Sequence, residues 1–155
     1  MRVLLKISRG RKRIYRVRIG MDMEDHSDLP PKKYQEMLFW EGFAYCYGRG
    51  KPQSYEEAVK YFTKAALIGH AEAATQMGFM ALNGYGVEKS VKDAYDWFMM
   101  AAAKEEPVAL YKLGEMYENG TYVEKNLDTA IKYYFHSSDR NNPDAKVALK
   151  RLGKM

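Results

Sequence analysis

The apolar and small residues of positions 73–81 recur at intervals of three and four along the chain. This spacing places them on one face of a helix and predicts a buried stripe. A glycine-rich segment at 84–86 interrupts the pattern, because glycine supplies the left-handed backbone that ends a helix. A second helical run of apolar positions follows at 94–102, and Ser90 precedes it as a good N-cap residue. Residues 73–102 are therefore predicted to form two antiparallel helices joined by a short turn.

The same pattern occurs three times with a period of 36 residues. The N-cap candidates Ser54, Ser90 and Asn126 keep this step, and Ser54 with Glu57 matches a capping box. Agreement among many registers predicts a stack of helix pairs, in which most repeated positions serve packing. The equivalent positions are Gly42, Gly78 and Gly114; Gly48, Gly84 and Gly120; Ala58, Ala94 and Ala130; the ring pairs at 61–62, 97–98 and 133–134; and Ala73, Ala109 and Ala145.

These residues resemble the SEL-like repeat (SLR) family, a relative of the tetratricopeptide repeat. The third unit carries Leu113-Gly114, Tyr117 and Tyr133-Tyr134, and the second carries Met77-Gly78 and Trp97-Phe98. The 36-residue period and the double-glycine turn favour this family over the 34-residue tetratricopeptide unit. The resemblance covers residues 36–149 and implies an all-α fold, a right-handed α-α superhelix. Its helix pairs are expected at about 36–71, 72–107 and 108–143, with a capping helix at 144–155.

The first unit departs from the repeat at two positions. Glu41 stands where the other units have Met77 and Leu113, and Lys51 stands where they have valine. Both changes suit an end unit with no helix packed on that side, or one covered by the N-terminal segment. At the other end, the basic residues of 146–154 suit a helix C-terminus and a polar outer face that closes the stack.

The formal net charge of +5 is unevenly distributed. Residues 1–20 contain eight basic side chains and no acidic one, whereas the rest of the chain holds 17 basic and 20 acidic residues. An acidic stretch follows at 22–28 and ends at Pro30-Pro31, a plausible boundary because proline disfavours helix in the residue before it. We therefore divide the chain into an N-terminal arm with an acidic linker, 1–29, and a repeat domain, 30–155. The central cations of the arm are Arg9, Arg11, Lys12, Arg13, Arg16 and Arg18.

The arm alternates apolar and basic residues at 3–7 and again at 15–19. This pattern predicts a short basic β-hairpin, turned at Arg9-Gly10, that packs on the repeats. The alternatives are a disordered arm, a helix, or a mitochondrial targeting segment. A secretory signal is not expected, because Val3-Leu4-Leu5 is its longest apolar cluster. We expect a cytoplasmic protein.

No set of residues suggests catalysis or metal binding. His26, His70 and His136 lie far apart, and Cys46 is the only cysteine, so no metal-ligand spacing exists. The segments 48–51 and 84–86 lack the spacing of a phosphate-binding loop. Some SLR proteins have been described as binding or hydrolysing β-lactams, but no Ser-x-x-Lys motif stands here. We expect a non-enzymatic protein without cofactors.

The resemblance implies that the first helix of each pair lines a concave surface that binds a protein or peptide. Aromatic side chains at one end and carboxylates at the other suit a partner with apolar and basic groups. Alternatively, the aromatic side chains pack under the arm. The positions next to the packing glycine are Phe39, Phe43 and Tyr47; Thr75, Phe79 and Asn83; and Tyr111, Glu115, Glu118 and Asn119.

Two other functions remain open at this point. The arm could bind nucleic acid or an anionic membrane, with the repeats as a platform, because eight cations neutralise several phosphates. Tyr15 is the only aromatic residue of the arm and offers little base stacking. The family also supplies inhibitor or immunity proteins against toxins, which the sequence does not single out.

Overall fold

A computed structural model of the protein describes residues 29–155, which form seven α-helices and no strand. The predicted hairpin, the cations of the arm and His26 lie outside the described residues. No helix among the described residues has the length and apolar character needed to cross a membrane. The helices are α1 (Pro31–Tyr47), α2 (Tyr55–Leu67), α3 (Ala71–Asn83), α4 (Val91–Ala102), α5 (Pro107–Asn119), α6 (Leu127–Asp139) and α7 (Pro143–Arg151).

The helices pack in chain order, as the 36-residue period predicts. The pairs α1–α2, α3–α4 and α5–α6 make the most extensive contacts and form units one, two and three. The contacts α2–α3, α4–α5 and α6–α7 join successive units. Each helix therefore packs mainly on its neighbours in sequence, which gives a two-layered solenoid and confirms the predicted all-α fold.

Within each unit, a ring of the second helix lies directly on a glycine of the first. A Cβ atom would stand 2.7 Å from Cδ1 of Phe62 at Gly42, 2.7 Å from Cδ1 of Phe98 at Gly78, and 2.6 Å from Cδ1 of Tyr134 at Gly114. These three rings are fully buried and centre the core of each unit. Glycine is therefore required at this repeated position, because the ring of the second helix leaves no room for a side chain on the first.

The predicted N-caps of the second helices are confirmed. The side chains of Ser54, Ser90 and Asn126 each accept a hydrogen bond from the backbone N–H three residues on, at 3.2, 3.1 and 2.9 Å. Ser54 thus makes one half of the capping box with Glu57, while the Glu57 carboxylate forms an ion pair with Lys60.

A second set of caps begins the first helices, at a position that also repeats every 36 residues. His70, Glu106 and Asn142 accept backbone N–H groups of α3, α5 and α7. Glu106 is buried and also accepts the hydroxyl of Thr75, at 2.7 Å, so its carboxylate links unit two to unit three. Asn142 donates to the carbonyl of Pro107 at 3.1 Å, which links unit three to α7.

His70 caps α3 through an unprotonated ring nitrogen. Its Nδ1 accepts the N–H of Ala73 at 3.2 Å, and its ring stacks on Phe39 with centroids 4.6 Å apart. Burial lowers the pKa of His70 from its ordinary value of 6.5, and the nearby carboxylates of Glu72 and Glu36 oppose that shift only in part. Protonation would therefore remove the acceptor of this cap.

Acid is expected to destabilise the native state through His70. The unfolded chain takes up a proton more readily than the folded one, so the free energy of unfolding falls as the pH drops below about 6.5. Asparagine caps helices without titrating. Thermal unfolding of the wild type should therefore lose more stability between pH about 7.5 and about 5.5 than that of His70→Asn. Parallel pH profiles of the two proteins would contradict this assignment.

The turn between units adopts a left-handed backbone at the same repeated position, with φ of +102° at Gly69, +61° at Glu105 and +65° at Asn141. Tyr122 is likewise left-handed, with φ of +66°, where units one and two have Gly50 and Gly86. Only glycine fits at position 86, because a Cβ there would meet the backbone of Tyr55. The turn geometry is thus conserved among the units even where glycine is not.

The departures of unit one lie together at the open side of α1. Glu41 and Lys51 form an ion pair, and the Lys51 ammonium lies 4.4 Å from the ring centroid of Tyr45. Tyr45 in turn stacks on Tyr61 at 5.5 Å. Among the described residues no helix precedes α1. The first unit therefore has a charged pair on this side, whereas units two and three bury Met77 and Leu113 at the position equivalent to Glu41.

Candidate functional site

The first helices α1, α3 and α5 present one shared face, which we call the first-helix face. Three rows of positions lie on it, and the members of each row are 36 residues apart in the sequence. A contact joins α3 to α5 on this face, because the Lys112 ammonium lies 5.6 Å from the ring centroid of Phe79. The rows are Trp40, Gln76 and Lys112; Phe43, Phe79 and Glu115; and Tyr47, Asn83 and Asn119.

On α1 this face is a line of aromatic rings, which we call the aromatic stripe: Trp40, Phe43 and Tyr47. The ring centroids of Trp40 and Phe43 are 5.7 Å apart, and those of Phe43 and Tyr47 are 4.5 Å apart. Trp40 is 61% exposed and Tyr47 is 57% exposed. Large aromatic side chains are seldom this exposed, so the aromatic stripe is a candidate contact surface.

A cation borders the aromatic stripe. The guanidinium carbon of Arg49 lies 5.4 Å from the ring centroid of Phe43, within cation–π range. Arg49 is exposed and forms no ion pair with any residue of 29–155. The nearby Lys51, in contrast, forms an ion pair with Glu41.

Units two and three enclose a shallow hollow on the same face. Its volume is about 200 Å³, with apolar side chains at the base and polar ones around the rim. Phe79 lies close by, edge-on to Phe98 at 5.5 Å, and Asn83 donates a hydrogen bond to the Phe79 carbonyl at 2.8 Å. The residues that line the hollow are Leu82, Phe98, Lys112, Glu115, Met116, Asn119 and Thr121.

The carboxylate of Glu115 already has partners within α5. It accepts the Tyr111 hydroxyl at 2.9 Å and pairs with Lys112 at 2.6 Å. Burial, together with the bond to Glu115, raises the pKa of Tyr111 to about 12. The charge of Glu115 is thus largely balanced inside the protein.

The carboxylate of Glu118 is also engaged. It accepts the hydroxyl of the buried Tyr134 at 2.6 Å and pairs with Arg151 of α7 at 2.7 Å. Burial opposes its charge, but the bonds from Tyr134 and Arg151 prevail and keep the pKa of Glu118 below its ordinary value. Glu118 therefore joins unit three to α7.

Of the ten residues predicted to face the groove, Phe39 and Thr75 are buried, and both stand three positions before the packing glycine. Phe39 is 7% exposed, and Thr75 is 3% exposed with its hydroxyl on Glu106. Tyr111 is half-buried. The other seven lie as described above: Phe43 and Tyr47 in the aromatic stripe, Phe79 and Asn83 in unit two, and Glu115, Glu118 and Asn119 in unit three.

Sequence reasoning missed Trp40, Arg49 and Lys112. Trp40 and Lys112 stand two positions before the packing glycine, one residue after the predicted positions Phe39 and Tyr111. The spacing of Trp40 to Phe43 and Tyr47, three and seven residues, could have revealed their shared helix face. Arg49 lies in the turn after α1, and helical spacing gives no information about its position.

Burial raises the pKa of the Cys46 thiol, which lowers its reactivity at neutral pH. Among residues 29–155 no cluster of three metal-ligating side chains exists.

The helix pairs and their shared exposed face define a helical-repeat protein. The Sel1 repeat model matches residues 37–70, 71–105 and 107–142 of the chain. The chain therefore belongs to the Sel1 repeat family, and the resemblance seen in the sequence is confirmed. Sel1 repeats generally serve as scaffolds for protein–protein interaction, and their fold is typically non-enzymatic.

Solved structures show the same architecture. A Sel1 repeat protein from Oxalobacter formigenes is 28% identical, with a TM-score of 0.70, and the match covers 79% of this chain and 49% of that one. The protein c5321, a protective antigen of uropathogenic Escherichia coli with an SLR fold, is also 28% identical, with a TM-score of 0.69 over 74% of this chain and 24% of that one.

A more distant structure shares the fold alone. Helicobacter pylori cysteine rich protein B is 19% identical, with a TM-score of 0.62 over 77% of this chain and 96% of that one. The present chain spans about half of the Oxalobacter protein and about a quarter of c5321. Comparison with curated protein sequences finds no match.

Proposed function

We propose that the protein is a non-enzymatic interaction module that binds a peptide segment of a partner protein across the first-helix face. The observation that carries this proposal is the aromatic stripe, with its two exposed rings at Trp40 and Tyr47. Tryptophan and tyrosine are enriched among the residues that dominate binding energy at protein interfaces.

The shape of the face supports a peptide ligand over a small molecule. The hollow between units two and three is shallow and small, whereas pockets for drug-sized ligands usually enclose about 300–1,000 Å³. An extended or helical segment could instead lie across α1, α3 and α5. It would place apolar side chains on the aromatic stripe and in the hollow, and polar groups near Asn83 and Asn119.

Loss of the aromatic stripe is expected to abolish partner capture. In the double variant Trp40→Ala with Tyr47→Ala, a binding protein from the source cell should be retained at least about tenfold less, since truncating such anchors costs more than about 2 kcal/mol each. The measurement is affinity capture on the immobilised full chain, with quantification of each retained protein by mass spectrometry.

A matched control separates this effect from general stickiness. Leu67 and Tyr85 are similarly exposed but lie outside the first-helix face, on α2 and in the turn of unit two. The variant Leu67→Ala with Tyr85→Ala should retain the same protein as the wild type, and both variants should keep the helical circular dichroism. Equal capture by all three proteins would refute a role of the aromatic stripe.

A further inference from the structure

The charges around the aromatic stripe differ from those that the sequence suggested. We propose that the segment bound there carries an acidic side chain next to its apolar anchor, so that a carboxylate meets Arg49 while the anchor contacts Trp40 and Tyr47. This inference rests on the proposed function and specifies the chemistry of the partner.

The available cation is Arg49. It lies over the Phe43 ring, 5.4 Å from the ring centroid, is exposed, and has no carboxylate partner among residues 29–155. Lys33 stands two helical turns before Trp40 on α1 and is exposed as well. A guanidinium presents paired N–H donors that match a carboxylate, and an adjacent ring limits its hydration, which strengthens the contact.

The carboxylates that would attract a basic partner are already occupied. Glu115 is bonded to Tyr111 and Lys112, and Glu118 to Tyr134 and Arg151. On α1, Glu41 is paired with Lys51, and the exposed Glu36, one turn before Trp40, forms no ion pair among residues 29–155. The end of the stripe at Tyr47 is therefore positive, and charge complementarity favours an acidic ligand there.

The basic arm of this chain does not fit this description. Residues 1–20 carry eight cations and no acid, so they have the same sign as Arg49. Like charges placed side by side at an interface are unfavourable. We therefore expect the occupant to be an acidic and apolar segment of a partner protein rather than residues 1–20 of this chain.

The test is a selection of peptides from a random library displayed on phage, with the full-length wild type as bait at about 0.15 M salt, where long-range attraction is screened. Parallel selection on Trp40→Ala with Tyr47→Ala identifies the peptides that depend on the aromatic stripe. We expect these peptides to combine a large apolar residue with Asp or Glu within a few positions.

Single substitutions then locate the charge contact. With a selected peptide carrying a dye, fluorescence anisotropy should show about tenfold weaker binding to Arg49→Gln. Two controls should leave the affinity unchanged: Lys150→Gln, which removes an equal charge from the exposed side of α7, and a variant with alanine at Arg11, Lys12 and Arg13 of the arm.

The possible outcomes distinguish failure of this inference from failure of the proposed function. Stripe-dependent peptides that lack acids or are rich in Lys and Arg would overturn this inference and leave the proposed function standing. Acidic peptides that bind Arg49→Gln as well as the wild type, or that lose affinity with the arm variant, would also overturn it. Failure to enrich any stripe-dependent peptide would overturn both proposals.

Discussion

Replacing Gly78 with alanine is expected to lower the free energy of unfolding by about 2 kcal/mol. In an ordinary helix this change would raise stability by up to about 1 kcal/mol, because alanine is the better helix former. Here the added Cβ would stand 2.7 Å from Cδ1 of Phe98, whose ring is fully buried. The sign of the change therefore distinguishes steric packing from helix propensity.

Chemical denaturation of Gly78→Ala measures this effect directly. Gln76→Ala, two residues before Gly78 and on the first-helix face, tests helix propensity without the ring contact and should be neutral or slightly stabilising. In the background of Phe98→Leu, which removes the edge of the ring, the cost of Gly78→Ala should shrink to less than half. An alanine that stabilises the wild type would disprove the steric argument.

Removing the buried carboxylate of Glu106 is expected to cost about 2–3 kcal/mol. Glu106→Ala deletes the acceptor for the N–H groups of Val108 and Ala109, at 3.2 and 2.7 Å, and leaves the buried hydroxyl of Thr75 without this partner. Glu106→Gln keeps one side-chain oxygen and should lose less than half as much. Thermal and denaturant unfolding report both changes.

Two further variants define the origin of that loss. Glu124→Ala removes an exposed carboxylate from the turn of unit three and should leave the melting temperature unchanged. Thr75→Val in the Glu106→Ala background should add little to the loss, since the two residues share one contact. Full additivity of Glu106→Ala and Thr75→Val would show that the link between the units contributes nothing.

The helix pairs and their caps could be predicted from the sequence because both are local properties. A 3.6-residue pattern, a stop at Gly84 and a cap at Ser90 depend only on neighbouring residues, and the 36-residue period repeats each of them. The polar residues His70, Glu106 and Asn142 also share that period. Their place just before the first helices could have been recognised as a second row of caps.

Contacts between units could not be predicted in the same way. Thr75 is predicted to face the groove because it occupies the same repeat position as Phe39. Its hydroxyl is instead bonded to the carboxylate of Glu106, 31 residues away, and both residues are buried. Trp40 is 61% exposed although it contacts the rings of Phe39 and Phe43, and helical spacing does not predict that exposure. The Glu118 carboxylate is not free to bind a partner, because it is paired with Arg151 of the last helix, α7.

The polar links between units also make the bending stiffness of the solenoid uneven. Unit three is linked to its neighbours by the buried carboxylate of Glu106, by the bond from Asn142 to the Pro107 carbonyl, and by the Glu118–Arg151 pair. The links between units one and two include the stacked rings of Phe39 and His70, the stacked rings of Tyr55 and Tyr85, and the weak bond of the Thr63 hydroxyl to the Met77 sulfur. Rings slide over one another more easily than buried charged hydrogen bonds rearrange. Changes of curvature are therefore expected at this first joint, where they would alter the distance between the aromatic stripe and the hollow and so the length of segment that can span both.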